Sequence, residues 1–295
     1  NISSMESAVD LALENNIELH TYLLNVEKQK ALQASAWSIE STQIYYDFDE
    51  NNIADNGHPL NVFGIEQSFS FPTVYTSQKR VNKAYTLLSE LEYENQIKKL
   101  TKEVSLAYQQ LQYYYSQRAY LSEVDSIYLL FMEAIEESYQ VGELKPLDKL
   151  NAQVLRQKVS MELTQLDFDI KIAEQNLAAF LQIDSSILVE PIEMIRLNVL
   201  AHDRFLFSDK LVHQMTLIEK AKLKYEQNTL WPDIKLAYYN GTNQFENSEH
   251  YNGYTLGIGI PIFFGEKRSK IKAGKIGLQF AEERETYTKL RIRKQ

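Results

Sequence analysis

The sequence predicts a mainly α-helical fold with a small β part: long antiparallel helical hairpins joined to four strands, in a chain built on an internal duplication. Three observations lead there. Glycine and proline, ten and six among 295 residues, are both absent from Thr73 to Val141 and again from Leu147 to Glu190. Ordinary helices end after about 10–14 residues, so such unpunctuated stretches predict helices several times longer. Apolar residues within them recur at alternating steps of three and four, the seam of packed helices. A short strand grammar, SFSFP at 68–72, returns as GIGIP at 257–261.

The elements follow in order. SMESAVDLALENN near the N-terminus reads as the start of an amphipathic helix with a serine cap, expected over 4–36. Asn1 opens directly into it, so a targeting segment is expected to have been removed, or the chain to have been excised. The segments 39–49 and 62–71 alternate as strands joined by the polar loop DENNIADNGHPL. In the first, Ile44, Tyr46 and Phe48 fall on one side and Gln43, Tyr45 and Asp47 on the other. In the second, Phe63, Ile65, Phe69 and Phe71 share a face, with Gln67 as an exception, and Gly64, Glu66, Ser68 and Ser70 share the opposite one.

A helix expected over 78–140 carries the stripe Ile97, Leu100, Val104, Ala107, Leu111, Tyr114, interrupted by Arg118 and resumed at Leu121, Val124, Tyr128, Phe131, Ile135. Wholly helical, it would extend roughly 95 Å. VGELKPLDKL then supplies a corner, with Gly142 as C-cap and Pro146 as helix start. The returning helix, 146–182, is striped by Leu163, Leu166, Ile170, Ala173, Leu177 and Phe180.

A second repeat, 208–295, follows the first, 1–200, without its hairpin. Pro261 lies 189 residues after Pro72, and at that offset Lys79 falls on Arg268, Lys83 on Lys272 and Ala84 on Ala273. Trp37 and Trp231 precede the first strand of each unit at an offset of 194, which marks a changed loop length. Helix 208–230, strands 233–242 and 252–261 and helix 266–295 complete the second unit. On the repeat logic roughly 75–80 residues of returning hairpin would follow.

Composition excludes several functions. The net charge of −9 argues against a nucleic-acid partner, which would need a basic face. With no cysteine there is no disulfide, thiolate metal site or Cys nucleophile. The histidines, His20, His58, His202, His213 and His250, have no partner at a metal-ligand spacing. No phosphate loop, G-x-S-x-G or H-E-x-x-H occurs, so neither an enzyme nor a cofactor is expected. No apolar run reaches the roughly 18 residues of a transmembrane helix, a criterion blind to outer-membrane barrels, whose strands alternate.

Two features argue for a lipid-facing barrel over a soluble sandwich. Four strands in two widely separated hairpins cannot close around a core, and aromatics, Tyr45, Tyr46, Phe69, Phe71, Tyr238, Tyr239, Phe263 and Phe264, lie toward the strand ends as an interfacial girdle would. Several chains must then contribute, and three would supply twelve strands. Ile258 and Ile260 join Phe63, Ile65, Phe69 and Phe71 as lipid-facing positions, with Glu66, Ser68 and Ser70 facing the lumen. The corner at 142–150 is the candidate contact for a partner: Gly142, Glu143, Leu144, Lys145, Pro146, Leu147, Asp148 and Leu150.

On SMESAVDLALENNIELH, the duplicated SFSFPTVY and GIGIPIFFGEKRSKIKA, and YQVGELKPLDKLNAQ, the chain resembles the TolC family of outer-membrane efflux factors, in particular its heavy-metal-efflux (CzcC/CusC-like) branch. The resemblance implies a homotrimer with a twelve-stranded barrel in outer-membrane lipid and a periplasmic helical tunnel. It implies an equatorial region over 184–207, and helical tips docked on a periplasmic adaptor (membrane fusion protein) that links to an inner-membrane RND-type pump. Gly142, Leu147, Leu150 and Ala152 match the family's tip pattern. The family's lipidated N-terminal Cys and its final, gate-bearing hairpin have no counterpart in the sequence. The competing reading is a periplasmic coiled-coil adaptor or scaffold without a pore, which would not need two alternating hairpins. A metal chaperone, a third reading, would bind copper or zinc tightly.

Overall fold

The computed structural model describes residues 4–50, 58–184, 206–243, 247, 249–261 and 263–293. The elements are helices α1 (Met5–Asn15) and α2 (Ile17–Leu32), a 3₁₀ turn (Ala34–Trp37), strands β1 (Gln43–Asp49) and β2 (Leu60–Phe69), helices α3 (Pro72–Gln140), α4 (Pro146–Leu181) and α5 (Leu206–Asn228), strands β3 (Asp233–Thr242) and β4 (Tyr251–Gly259), and helix α6 (Gly265–Arg293). They group into two compact units, residues 1–23 with 93–202, and residues 24–92 with 203–295. The expected equatorial segment lies, apart from its ends, outside the described residues.

Several boundaries differ from the sequence expectation, each for a local reason. The expected first helix is divided at Asn16, whose N–H donates to Ala12 O at 3.0 Å to end α1 and whose Oδ1 accepts from Leu19 N–H at 2.7 Å to begin α2. A short amide side chain competes with the helical backbone in this way and favours caps. Helix α3 begins at Pro72 rather than at 78: a proline at the first helical position lacks only an N–H that would be unpaired there. Pro72 therefore ends the strand region and opens the helix within three residues of β2. Strand β1 starts at Gln43 rather than at 39: its ladder with β2 begins at Gln43 opposite Glu66, and next to it the Gln67 side chain instead engages Thr42 and the carbonyl of Glu40. Strands β2 and β4 end at Phe69 and Gly259, so Ser70, Phe71 and Ile260 lie just past them.

The first unit packs α1, the start of α2, the greater part of α3, and α4. Its core is the predicted stripe in part: Leu100, Val104, Leu111, Leu166, Ile170, Ala173 and Leu177 are buried, joined by Ala8, Ala12, Leu19, Tyr108 and Leu181. Ile97, Ala107, Tyr114 and Phe180 pack against it half-buried. Toward the corner the burial thins. Between Leu111 and Leu166 only Ala152 is buried, while Ile127, Leu130, Phe131, Leu155 and Met161 are exposed. Arg118, which interrupts the stripe, has its reason here: its Nε lies 2.6 Å from Asp167 Oδ1 on the facing helix. One turn earlier the Tyr115 hydroxyl donates to Glu174. Burial, and then that carboxylate, push the Tyr115 hydroxyl up to about 12.

The second unit holds the rest of α2 and α3, the sheet, and the α5–α6 pair. Its helices are held by buried polar contacts as well as by Val81, Ala84, Ile218 and Ala281. Gln214 Nε2 donates to Ala84 O at 2.8 Å, Gln33 Nε2 to Thr86 Oγ1 at 2.9 Å, and Asn228 Nδ2 to Thr73 O at 3.1 Å. Burying such groups is tolerable only because they are paired.

Glu285 on α6 sits among Lys289, Thr216 and His213. The Lys289 ammonium, 2.7 Å away, holds the Glu285 carboxyl down at about 2 although burial pushes it up, and Thr216 and His213 lower it further. A carboxyl lowered from its ordinary 4.5 contributes stability that is complete above that value and lost as pH falls toward about 2. Thermal midpoints measured from pH 5 to pH 2 should therefore fall for the wild type, and Glu285→Gln should flatten that part of the profile while lowering the midpoint at pH 7.

Candidate functional site

The four strands form one antiparallel sheet in chain order. Register fixes which side chains share a face. Ile44 opposes Ile65, Ile65 opposes Tyr238, and Tyr238 opposes Tyr254; Phe69, Ile234 and Ile258 form a second row, and Leu236 opposes Leu256. This face is apolar and open: Ile44 is 67% exposed, Phe63 60%, Tyr254 82%, Leu256 75% and Ile258 67%. Tyr46 and Phe48 lie on it too, and beyond the strand end Ile260 is exposed. Gln67, the polar exception, lies at its helix end, where its amide is fully engaged: Thr42 Oγ1 donates to Oε1 at 2.6 Å, and Nε2 donates to Glu40 O at 2.7 Å. At the opposite, loop end the face closes with asparagines. Tyr238 hydroxyl and Asn240 Nδ2 both donate to Asn252 Oδ1, at 2.6 and 2.9 Å.

The other face carries Gln43, Asp47, Glu66, Ser68, Lys235 and Thr255, with Leu60 and Val62 at its loop end. Glu66 and Lys235 pair across the strands at 3.0 Å. Here the expected girdle is corrected. Tyr45 and Tyr239 lie within their strands and on this polar face, on the side opposite Tyr46 and Tyr238. Tyr45 opposes Gly64 and Tyr239 opposes Gly253, and each ring lies across its glycine. A Cβ on Gly64 would fall 2.3 Å from Tyr45 Cζ, and one on Gly253 would fall 2.1 Å from Tyr239 Cζ. Gly253→Val should therefore expel the ring and cost about 1–3 kcal/mol. The double substitution Gly253→Val/Tyr239→Ala should regain much of that loss, read as the thermal midpoint of the purified protein.

These clasps are not among the residues expected from the sequence, yet their signal is there. Tyr239 follows Tyr45 by 194 residues and Gly253 follows Gly64 by 189, the offsets of the tryptophans and prolines. Applied to the whole first hairpin, the same offsets turn Gln43 opposite Glu66 into Ala237 opposite Thr255, the register observed.

At the helix end of the sheet two stacked pairs anchor the strands. Phe71, expected on a lipid-facing strand, stacks on Trp231 with centroids 5.0 Å apart. Trp37 stacks on Tyr75 at 5.4 Å. Ser70, expected to face the lumen, lies past β2 and donates its N–H to the Tyr75 hydroxyl at 2.9 Å.

The second candidate is the corner of the first unit. Gly142 has φ +80, a left-handed conformation that a side chain resists. Its N–H donates to Tyr139 O at 3.1 Å and that of Glu143 to Ser138 O at 3.0 Å, a Schellman closure of α3. Lys145 N–H donates to Asp148 Oδ2 at 3.2 Å, which caps α4 behind Pro146. Lys149 binds Glu136 at 2.7 Å, and its ammonium lies 4.6 Å from the Tyr139 ring centre. That ammonium holds the Glu136 carboxyl below its ordinary range. These contacts complete the turn, and none uses Val141, Leu147 or Leu150, which are 72%, 63% and 54% exposed.

Among the described residues no group of three or more His, Asp or Glu is arranged to hold a metal, and no helix is long and apolar enough to cross a membrane.

Comparison with solved structures places the fold. The chain superposes on a Pseudomonas aeruginosa membrane protein with a TM-score of 0.74 and 15% identity, covering 98% of this chain and 74% of that one. The corresponding values are 0.75, 15%, 96% and 72% for CusC, a structure that concerns folding and transmembrane channel formation. For the outer-membrane channel OprN they are 0.75, 13%, 97% and 71%. The fold is thus one shared with outer-membrane channels. No protein-family model and no curated protein matches the sequence.

Proposed function

We propose that this chain is one protomer of a trimeric outer-membrane channel, a TolC-type outer membrane factor of the heavy-metal-efflux branch. It acts as a passive conduit for metal ions or small toxic compounds in a tripartite efflux system. The observation that carries this reading is the two-faced sheet: an exposed, continuous apolar face backed by a polar one, with the outer edges of β1 and β4 unpaired among the described residues. In lipid, backbone groups at such edges must be paired, and closure into a barrel is the way a sheet achieves it. Four strands cannot enclose a lumen; three copies give twelve, with Phe63, Ile65, Phe69, Ile258 and Ile260 toward lipid and Glu66 and Ser68 toward the lumen.

Energy for export comes from a partner, an inner-membrane RND-type pump reached through a periplasmic adaptor that meets the corner at 142–150. The competing scaffold reading leaves the apolar face without a purpose. Native mass spectrometry in detergent, followed by planar-bilayer recording, tests the proposal. A trimer with stepwise conductance is expected; a stable monomer soluble without detergent, or a trimer that never conducts, would overturn it.

A further inference from the structure

The helix ends adjoining the sheet carry a charge pattern unlike the rest of the chain. From Pro72 to Ser89 there are Lys79, Arg80 and Lys83 and no acidic residue; from Gly265 to Ala281 there are Lys267, Arg268, Lys270, Lys272 and Lys275 against Glu266 alone. The chain as a whole is at −9. Two cations of each run correspond across the duplication, Lys79 to Arg268 and Lys83 to Lys272, although residues between them have diverged (Arg80 to Ser269, Val81 to Lys270, Asn82 to Ile271). All four are exposed, and among the described residues none is in an ion pair. Each pair is spaced i, i+4, which sets like charges side by side on a helix and destabilises it. Retaining that arrangement twice points to an external anion.

The neighbouring side chains indicate which anion. At the same end of the sheet Trp37, Trp231 and Ile260 are 58%, 52% and 67% exposed, and Phe263 is 92% exposed. Aromatics followed by Lys and Arg mark the level where hydrocarbon gives way to headgroups. We infer that Lys79, Lys83, Arg268 and Lys272 form a collar for anionic phospholipid headgroups at the helix-side boundary of the membrane. The inference rests on the barrel reading above. The tryptophans set the depth, and the cations, 7 and 11 residues beyond Pro72 and Pro261, meet the phosphates.

The test compares the full-length wild type with Lys79→Gln/Lys83→Gln/Arg268→Gln/Lys272→Gln. Both are purified in detergent with mixed phosphatidylglycerol and phosphatidylcholine, and bound lipid is counted by native mass spectrometry. The wild type should retain phosphatidylglycerol in preference, and the quadruple variant should lose at least about fivefold of that preference with its oligomer intact. Added inorganic phosphate should not displace the lipid, since the collar takes a headgroup anchored in a bilayer. Equal retention of both lipids by the wild type, or an unchanged preference in the variant, would overturn the collar and leave the conduit standing. A preference abolished by free phosphate, or a variant altered only in the ion selectivity of its conductance, would overturn it too, placing the cations on the tunnel wall. A soluble monomer that binds no lipid would instead sink the conduit reading.

Discussion

Leu256→Arg should abolish membrane assembly, whereas Thr255→Arg, one residue away, should not. Leu256 lies near the middle of β4, 75% exposed on the apolar face and opposite Leu236. Arginine on the lipid face near mid-membrane costs about 2–4 kcal/mol per copy, and a symmetric trimer would carry three, about 6–12 kcal/mol in all, comparable to a typical folding margin of about 5–15 kcal/mol. Thr255 opposes Ala237 on the polar face, where an added cation meets water and the Glu66 side of the sheet. The readout is the fraction of chain recovered from the outer-membrane fraction as an oligomer. The scaffold reading predicts the opposite order: in water, replacing an exposed leucine by arginine is neutral or improves solubility. Recovery of Leu256→Arg at wild-type yield would therefore remove the barrel.

That contrast depends on a period of two, and the period was legible because strands with one apolar and one polar face must alternate. The duplication was legible for a similar reason: Pro72 and Pro261 mark equivalent junctions between strand and helix, and Trp37 and Trp231 equivalent anchors. Alternation put Tyr45 on the side opposite Tyr46, as observed, but it could not show what receives the polar-face member of each tandem pair: Gly64 opposite Tyr45 and Gly253 opposite Tyr239 leave the room in which the rings lie. The strand ends were overestimated at Ser70, Phe71 and Ile260 because a proline blocks a ladder but says nothing about how many residues before it have already left. The break at Asn16 is not legible in the pattern, because an asparagine within an amphipathic stretch interrupts it only through its own side chain. Along α3 and α4 the three-four seam was visible throughout, but periodicity does not distinguish the enclosed part, ending near Leu111 and Leu166, from the part whose apolar residues remain exposed.

Leu147→Asp should eliminate export while leaving the oligomer intact. The fold gives the expected separation between stability and function. Leu147 is 63% exposed, and the corner is closed by Gly142, Pro146 and Asp148 without it. A surface substitution of this kind normally changes stability by no more than about 0.5 kcal/mol. At a docking surface the same aspartate buries an unpaired carboxylate against the partner, and loss of a central aliphatic anchor costs about 2 kcal/mol or more, a weakening of roughly 30-fold at 1.4 kcal/mol per decade. Gly142→Pro acts by another route. A ring locked near φ −65 cannot occupy φ +80, and the N–H bonded to Tyr139 O disappears, so the corner itself is rebuilt. Because burial is sparse between Leu111 and Leu166, that damage should stay local, sparing the oligomer while removing export. Gly142→Ala, strained by only about 1 kcal/mol, should fall between wild type and proline. The measurements are the mass of the detergent-solubilised oligomer and the tolerance of cells to the exported compound, taken on the same strains. Full tolerance with Leu147→Asp would show that the exposed aliphatic corner meets no adaptor.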